Sequence, residues 1–94
     1  MQVSVTGKPQ RLDSVIINDD SEAPSLLNPM TGEIFVTNPV GRHIFGLADG
    51  AMTIEEVVDA VAEQFDGASK DVIRNDALAF FDNATNRGLV TWQD

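Results

Sequence analysis

The chain has 94 residues, 43% of them hydrophobic and 22% charged. That is the composition of one globular domain, since a second would be too small to bury a core of its own. It has no cysteine, which excludes disulfide staples and thiolate metal sites. Fifteen acids against six bases give a formal charge of -9, which repels a phosphate backbone and argues against nucleic acid as a partner.

Residues 1–12 contain Gly7 and Pro9, show no sustained periodicity, and read as a flexible N-terminal arm before a domain at 13–94. No apolar run approaches the roughly 20 residues that span a bilayer. Met1-Gln2-Val3-Ser4-Val5 lacks the basic start and apolar stretch of a signal peptide. The expected location is the cytoplasm, with no membrane partner. Ser14 to Asn18 holds the β-branched run Val15-Ile16-Ile17 and predicts a short strand. Asp19 to Pro24 breaks it. Ser25-Leu26-Leu27 and Glu33-Ile34-Phe35-Val36-Thr37 then flank Asn28-Pro29-Met30-Thr31-Gly32. Pro pre-sets φ at a turn and Gly supplies a left-handed position, so a hairpin with a bulged or longer loop is expected.

From Asn38 the apolar period changes from two to about 3.6. Asn38-Pro39 is a helix start, with an Asn cap and Pro in the first helical position, and Asp49-Gly50 ends that helix. Thr53-Ile54-Glu55-Glu56 is a capping box opening a second helix. Asp66-Gly67-Ala68 closes it, Ser69 caps a third, and Gly88 stops the third before an extended Leu89-Val90-Thr91-Trp92. The expected class is α+β: a three-stranded antiparallel N-terminal sheet followed by three helices, in a winged helix-turn-helix layout.

In order, Leu26-Leu27-Asn28-Pro29, Gly32 to Asn38, Ile44 through Leu47-Ala48-Asp49-Gly50, Thr53 to Val58, Asp76-Ala77-Leu78-Ala79-Phe80-Phe81 and Gly88-Leu89-Val90 resemble the PqqD-like family. That family is the recognition element of ribosomally made, post-translationally modified peptides. Val36-Thr37 stands where the family has a Leu before the helix-start Asn, and the Asn28 to Gly32 turn is longer than in pyrroloquinoline quinone pathway members. The resemblance is to the broad family.

It implies a binding protein whose exposed sheet edge takes the leader of a precursor peptide as an added strand, packed against the third helix. The edge would be Glu33, Ile34, Phe35, Val36 and Thr37. On the third helix, Ile73, Ala77, Phe80 and Ala84 form one stripe and Arg74, Leu78, Phe81 and Thr85 a second. The first is assigned to the core. The second, through Arg74, Leu78 and Phe81, is assigned to the peptide groove. The implied partners are the leader peptide and a peptide-modifying enzyme, such as a radical SAM enzyme or another maturase, with a homodimer left open.

Catalytic carriers are few. His43 is the one histidine and reads as a helix-surface residue rather than a metal ligand. Asp19, Asp20 and Glu22 lack the spacing of a calcium loop, and Asp13-Ser14 is followed by a strand rather than the helix of an acyl carrier. No phosphate loop, nucleophile elbow or acid/base pair is present. The expectation is no enzyme, no metal and no cofactor. Lys70 and Arg74 either hold an acidic leader or pair with Asp66 or Asp71. The alternatives are a winged-helix DNA-binding regulator, opposed by the acids of the second and third helices, and a protein-protein adaptor or dimerisation module.

Overall fold

The computed structural model describes residues 7–65, 67 and 69–93. The elements are β1 (Lys8–Arg11), β2 (Ile16–Asn18), β3 (Ser25–Leu27), β4 (Ile34–Val36), α1 (Pro39–Leu47), α2 (Ile54–Gln64), α3 (Lys70–Asn86) and β5 (Val90–Gln93). β2, β3 and β4 form one antiparallel sheet in that order, and β1 pairs with β5 in a second. The α+β class and the succession of sheet and three helices are as the sequence predicts.

β1 corrects the reading of residues 1–12 as an arm. Lys8 to Arg11 pairs antiparallel with β5, with Lys8 opposite Gln93 and Arg11 opposite Val90. The Pro9 carbonyl accepts from Gly50 N–H at 2.9 Å, and Arg11 N–H donates to the Ala48 carbonyl at 2.7 Å. Only Pro9 is buried in this strand, so its residues show no apolar alternation. The first six residues of the expected arm lie outside the described residues.

Local chemistry sets the helix boundaries. Asn38 Oδ1 accepts the Gly41 N–H at 2.8 Å and Pro39 follows as the first helical residue. Gly50, at φ +80°, lies two residues past the Ala48 cap. Thr53 and Glu56 form the reciprocal capping box, with bonds of 3.3 and 2.9 Å. Ser69 Oγ accepts from Val72 N–H at 3.2 Å. The expected closure of α2 falls partly on Asp66 and Ala68, outside the described residues. α3 ends in a Schellman motif: Gly88 N–H donates to Thr85 O and Leu89 N–H to Ala84 O, with Gly88 at φ +69°.

Ile44, Phe45, Ile54, Val57, Val58, Val61, Ile73, Phe81 and Leu89 pack between the helices and close over Leu26 of the sheet. A row of rings, Phe35–Phe80–Phe81–Trp92, runs from β4 across α3 to β5 with centroids 5.5–5.6 Å apart. Trp92 Nε1 donates to Thr85 Oγ1 at 3.0 Å, which satisfies two polar groups inside an apolar layer.

Candidate functional site

β4 is an edge of its sheet. Antiparallel ladders alternate residues that exchange bonds across the pair with residues that turn theirs away. Asn28 N–H donates to Glu33 O at 2.9 Å and Thr37 N–H to Pro24 O at 2.8 Å. Positions 33, 35 and 37 therefore face β3. Ile34 and Val36 direct their N–H and C=O groups off the edge, where a further strand can pair with them.

The side chains of β4 alternate as well. Phe35 faces α3, stacking on Phe80 at 5.6 Å with the Arg87 guanidinium 5.0 Å above its ring. Ile34 and Val36 point to the opposite face and are 61% and 60% exposed. Leu27, the cross-strand neighbour of Ile34, and beyond it Ile16 continue that apolar outer face.

Between β4 and α3 runs a groove of about 380 Å³, with Phe35, Val40, Ile44 and Phe80 in its lining and Asp76, Ala79 and Asn83 along the helix. Three short side chains on the helix wall leave room for a backbone to approach. A second depression, lined by Glu33, Ile34, Asn86 and Arg87, lies at the Ile34 end of the strand. Gly41 sits where α1 passes the groove. A Cβ there would run into the Thr37 hydroxyl and lie 3.2 Å from the Phe80 ring.

The second stripe of α3 does not border this groove. Phe81 is fully buried, edge-on to Trp92 at 5.6 Å. Leu78 packs against the core from a half-buried position. Arg74 reaches α2: its Nε and Nη2 donate to the two Glu55 carboxylate oxygens at 2.6 and 2.9 Å, and Nη1 donates to Asp71 at 2.8 Å. The hydrogen bonds from Arg74 hold the Glu55 carboxyl below its usual range. Lys70 pairs with Asp59 at 2.9 Å, and that hydrogen bond raises its pKa. Arg74, Leu78 and Phe81, assigned to the peptide groove from the sequence, are not in the lining of this groove. α3 buries the first stripe and, of the second, Phe81 and Thr85, because α2 and β5 cover the flank that the helical wheel left open, with Leu78 and Arg74 half-covered. The groove lies on the other flank of Phe80, at Asp76, Ala79 and Asn83.

A larger cavity, about 590 Å³, opens on the far face of α1 between Arg42, His43, Leu47 and Phe65 and the Asp19 to Pro24 segment. His43 meets Phe65 edge-on at 5.7 Å and Arg42 pairs with Asp19 at 2.7 Å. Asp20 accepts the Glu22 and Ala23 N–H groups, which lowers its pKa and makes it a turn-former. Among the described residues no three His, Cys, Asp or Glu side chains are grouped as metal ligands, and no helix is long and apolar enough to cross a membrane.

A small α+β domain with an open strand beside a helix-walled groove has the geometry that strand-adding binding modules use. The family description Coenzyme PQQ synthesis protein D (PqqD) matches residues 25–90, and the chain belongs to that family. Two solved structures share the fold. "TbiB1 in Complex with the TbiA(beta) Leader Peptide" is 25% identical, with a TM-score of 0.69 over 86% of this chain and 93% of that one. "Lasso peptide synthetase B1 complexed with the leader peptide" is 12% identical, with a TM-score of 0.69 over 89% and 98%. None of the curated proteins matches the chain.

Proposed function

We propose that this protein is a non-catalytic recognition protein that captures the leader of a ribosomally made precursor peptide and holds it for a modifying enzyme. The observation that carries the reading is the β4 edge, with the Ile34 and Val36 main-chain groups turned outward beside the groove to α3. Main-chain pairing supplies affinity that is indifferent to side chains, and the groove supplies selection. The likeness to TbiB1, whose structure holds a leader peptide, supports it. Glu33 to Thr37 form the docking strand, with Phe35, Ala79, Phe80 and Asn83 beneath the leader's side chains. The enzyme served is a peptide maturase, a radical SAM enzyme or another kind, and the encounter takes place in the cytoplasm. A homodimer pairing β4 with β4 would cover the same groups, and a charge of -9 on each chain opposes it.

The test is an amide NMR titration of the labelled chain with synthetic leaders drawn from short precursor frames beside its gene. Shifts at Ile34, Val36, Ala79 and Asn83 are expected. Shifts confined to Arg42, His43 and Phe65, around the cavity beyond α1, would reject strand addition.

A further inference from the structure

The groove's charge pattern, taken together with the strand-addition reading on which this inference rests, limits what the captured segment carries. We propose that the groove selects a strand with a carboxylate side chain over Arg87 and, about four or six residues before it on the same face, a neutral or basic one beside Asp76.

Arg87 caps α3 and is held in place. Its guanidinium lies 5.0 Å from the Phe35 ring centroid, and Nη1 donates to Asn83 Oδ1 at 2.9 Å and to Asn83 O at 3.3 Å. Those bonds use one of its three nitrogens. Among the described residues no carboxylate pairs with it, whereas Arg42 and Lys70 each have one and Arg74 has two. A half-buried guanidinium fixed on a ring, with Nε and Nη2 still to donate, is suited to a carboxylate in fork geometry. Glu33 lines the same depression without pairing with Arg87. It penalises a carboxylate that merely passes nearby, but one bonded to the guanidinium gains more than it loses.

At the other end Asp76 lines the groove with Thr37 and Asn38, and no cation pairs with it among the described residues. From Asp76 to Arg87 the chain advances eleven positions, about 16 Å of helix, the length of about five residues of extended strand; side chains that share a face are an even number apart, so the spacing is about four or six. α3 runs opposite to β4, since Asp76 lies by Thr37 and Arg87 by Ile34. A strand added antiparallel, the slightly more stable pairing, meets Asp76 first and Arg87 later. The basic or neutral residue therefore precedes the acid.

A randomised dodecapeptide display library, selected against the full chain, tests this. Selected clones should lose binding to Val36→Pro and should share an Asp or Glu on the C-terminal side of an apolar centre. In the best clone, changing that acid to Lys should weaken binding by roughly ten-fold. Arg87→Glu should reverse the preference, and Glu33→Gln should strengthen the acid-bearing peptide. Arg87→Gln retains a planar hydrogen-bonding end, so it serves if Arg87→Glu disturbs the fold, and it should erase the discrimination. Clones that depend on β4 but show no acid preference, or keep that preference in Arg87→Gln, overturn the charge assignment and leave strand addition standing. Clones indifferent to Val36→Pro, or a selection that yields none, overturn strand addition and the charge assignment with it.

Discussion

Asn28 and Arg87, 59 positions apart, are joined by a hydrogen bond of 2.8 Å from the Asn28 Nδ2 to the Arg87 carbonyl. Asn28 is 6% exposed, and its Oδ1 accepts the Met30 N–H at 2.9 Å. One side chain thus closes the β3–β4 turn and ties it to the end of α3, setting the width of the groove at that end. Asn28→Leu is of similar size but leaves the carbonyl and the N–H without a partner. It should lower stability by about 1–3 kcal/mol in urea unfolding, with the m-value unchanged. Asn28→Asp keeps the acceptor for Met30 and sets a carboxylate against the Arg87 carbonyl. Its loss should be greatest at neutral pH and shrink once the carboxyl is protonated.

Phe81 has no exposed surface and touches Phe80 and Trp92. Phe81→Ala should cost about 3–5 kcal/mol of folding free energy. At temperatures where the variant remains folded, its affinity for a leader should be within a factor of about two of the parent, since contacts outside a binding patch contribute little. A variant of near-normal stability that failed to bind would return Phe81 to the groove.

What could be read from the sequence was what neighbours in sequence decide. Asn38 with Pro39, Thr53 with Glu56, Ser69 and Gly88 each satisfy backbone groups within a few residues, and each lies where its local chemistry places it. The β-branched and aromatic runs of β2 and β4 are legible for the same reason. β1 was not, because its four residues are mostly polar and its partner is β5 at the far end of the chain. Nor was the groove flank of α3. A wheel shows two apolar stripes but not which neighbours cover them, and here Phe80 of the first packs on Phe35 of β4 and Phe45 of α1 while Phe81 of the second packs on Trp92 of β5. The signal that was available is the run of short side chains, Asp76, Ala79 and Asn83, along one flank of Phe80. A helix wall that must admit a backbone needs short residues there, whereas a wall chosen for apolarity alone would carry long ones.

The Glu55–Arg74 contact predicts a pH response. Arg74 lowers the Glu55 carboxyl pKa, chiefly through its hydrogen bonds. In the unfolded chain the same carboxyl titrates at its ordinary, higher value. Its contribution is therefore complete above that unfolded value and is lost as pH falls through the lower folded one. Both side chains are well exposed, 35% for Arg74 and 57% for Glu55, so the effect on stability should be small and should fade in salt. Carboxyl NMR should show Glu55 titrating low in the parent and rising toward the ordinary value in Arg74→Gln. An unchanged midpoint would mean that the pair does not persist in solution.

Proline placed along β4 separates the strand's two hydrogen-bonding faces. Phe35 exchanges its main-chain bonds with Leu26, its cross-strand partner, as the alternation set by Asn28–Glu33 and Pro24–Thr37 requires. Phe35→Pro removes one of those bonds and the ring stacked on Phe80, so it should destabilise the domain by about 3 kcal/mol or more. Val36→Pro removes an N–H that points off the sheet, and the Val36 side chain is largely exposed. Pro is tolerated at such edge positions. Stability should then fall by less than about 1 kcal/mol, since surface changes that disturb no buried partner are generally mild. Leader binding by strand addition should nonetheless be lost, because the donor it needs is gone. Thermal unfolding and leader affinity measured on both variants discriminate between the faces. Val36→Pro with an intact fold and undiminished leader affinity would exclude pairing at Val36, and a stable Phe35→Pro would contradict the β3–β4 register itself.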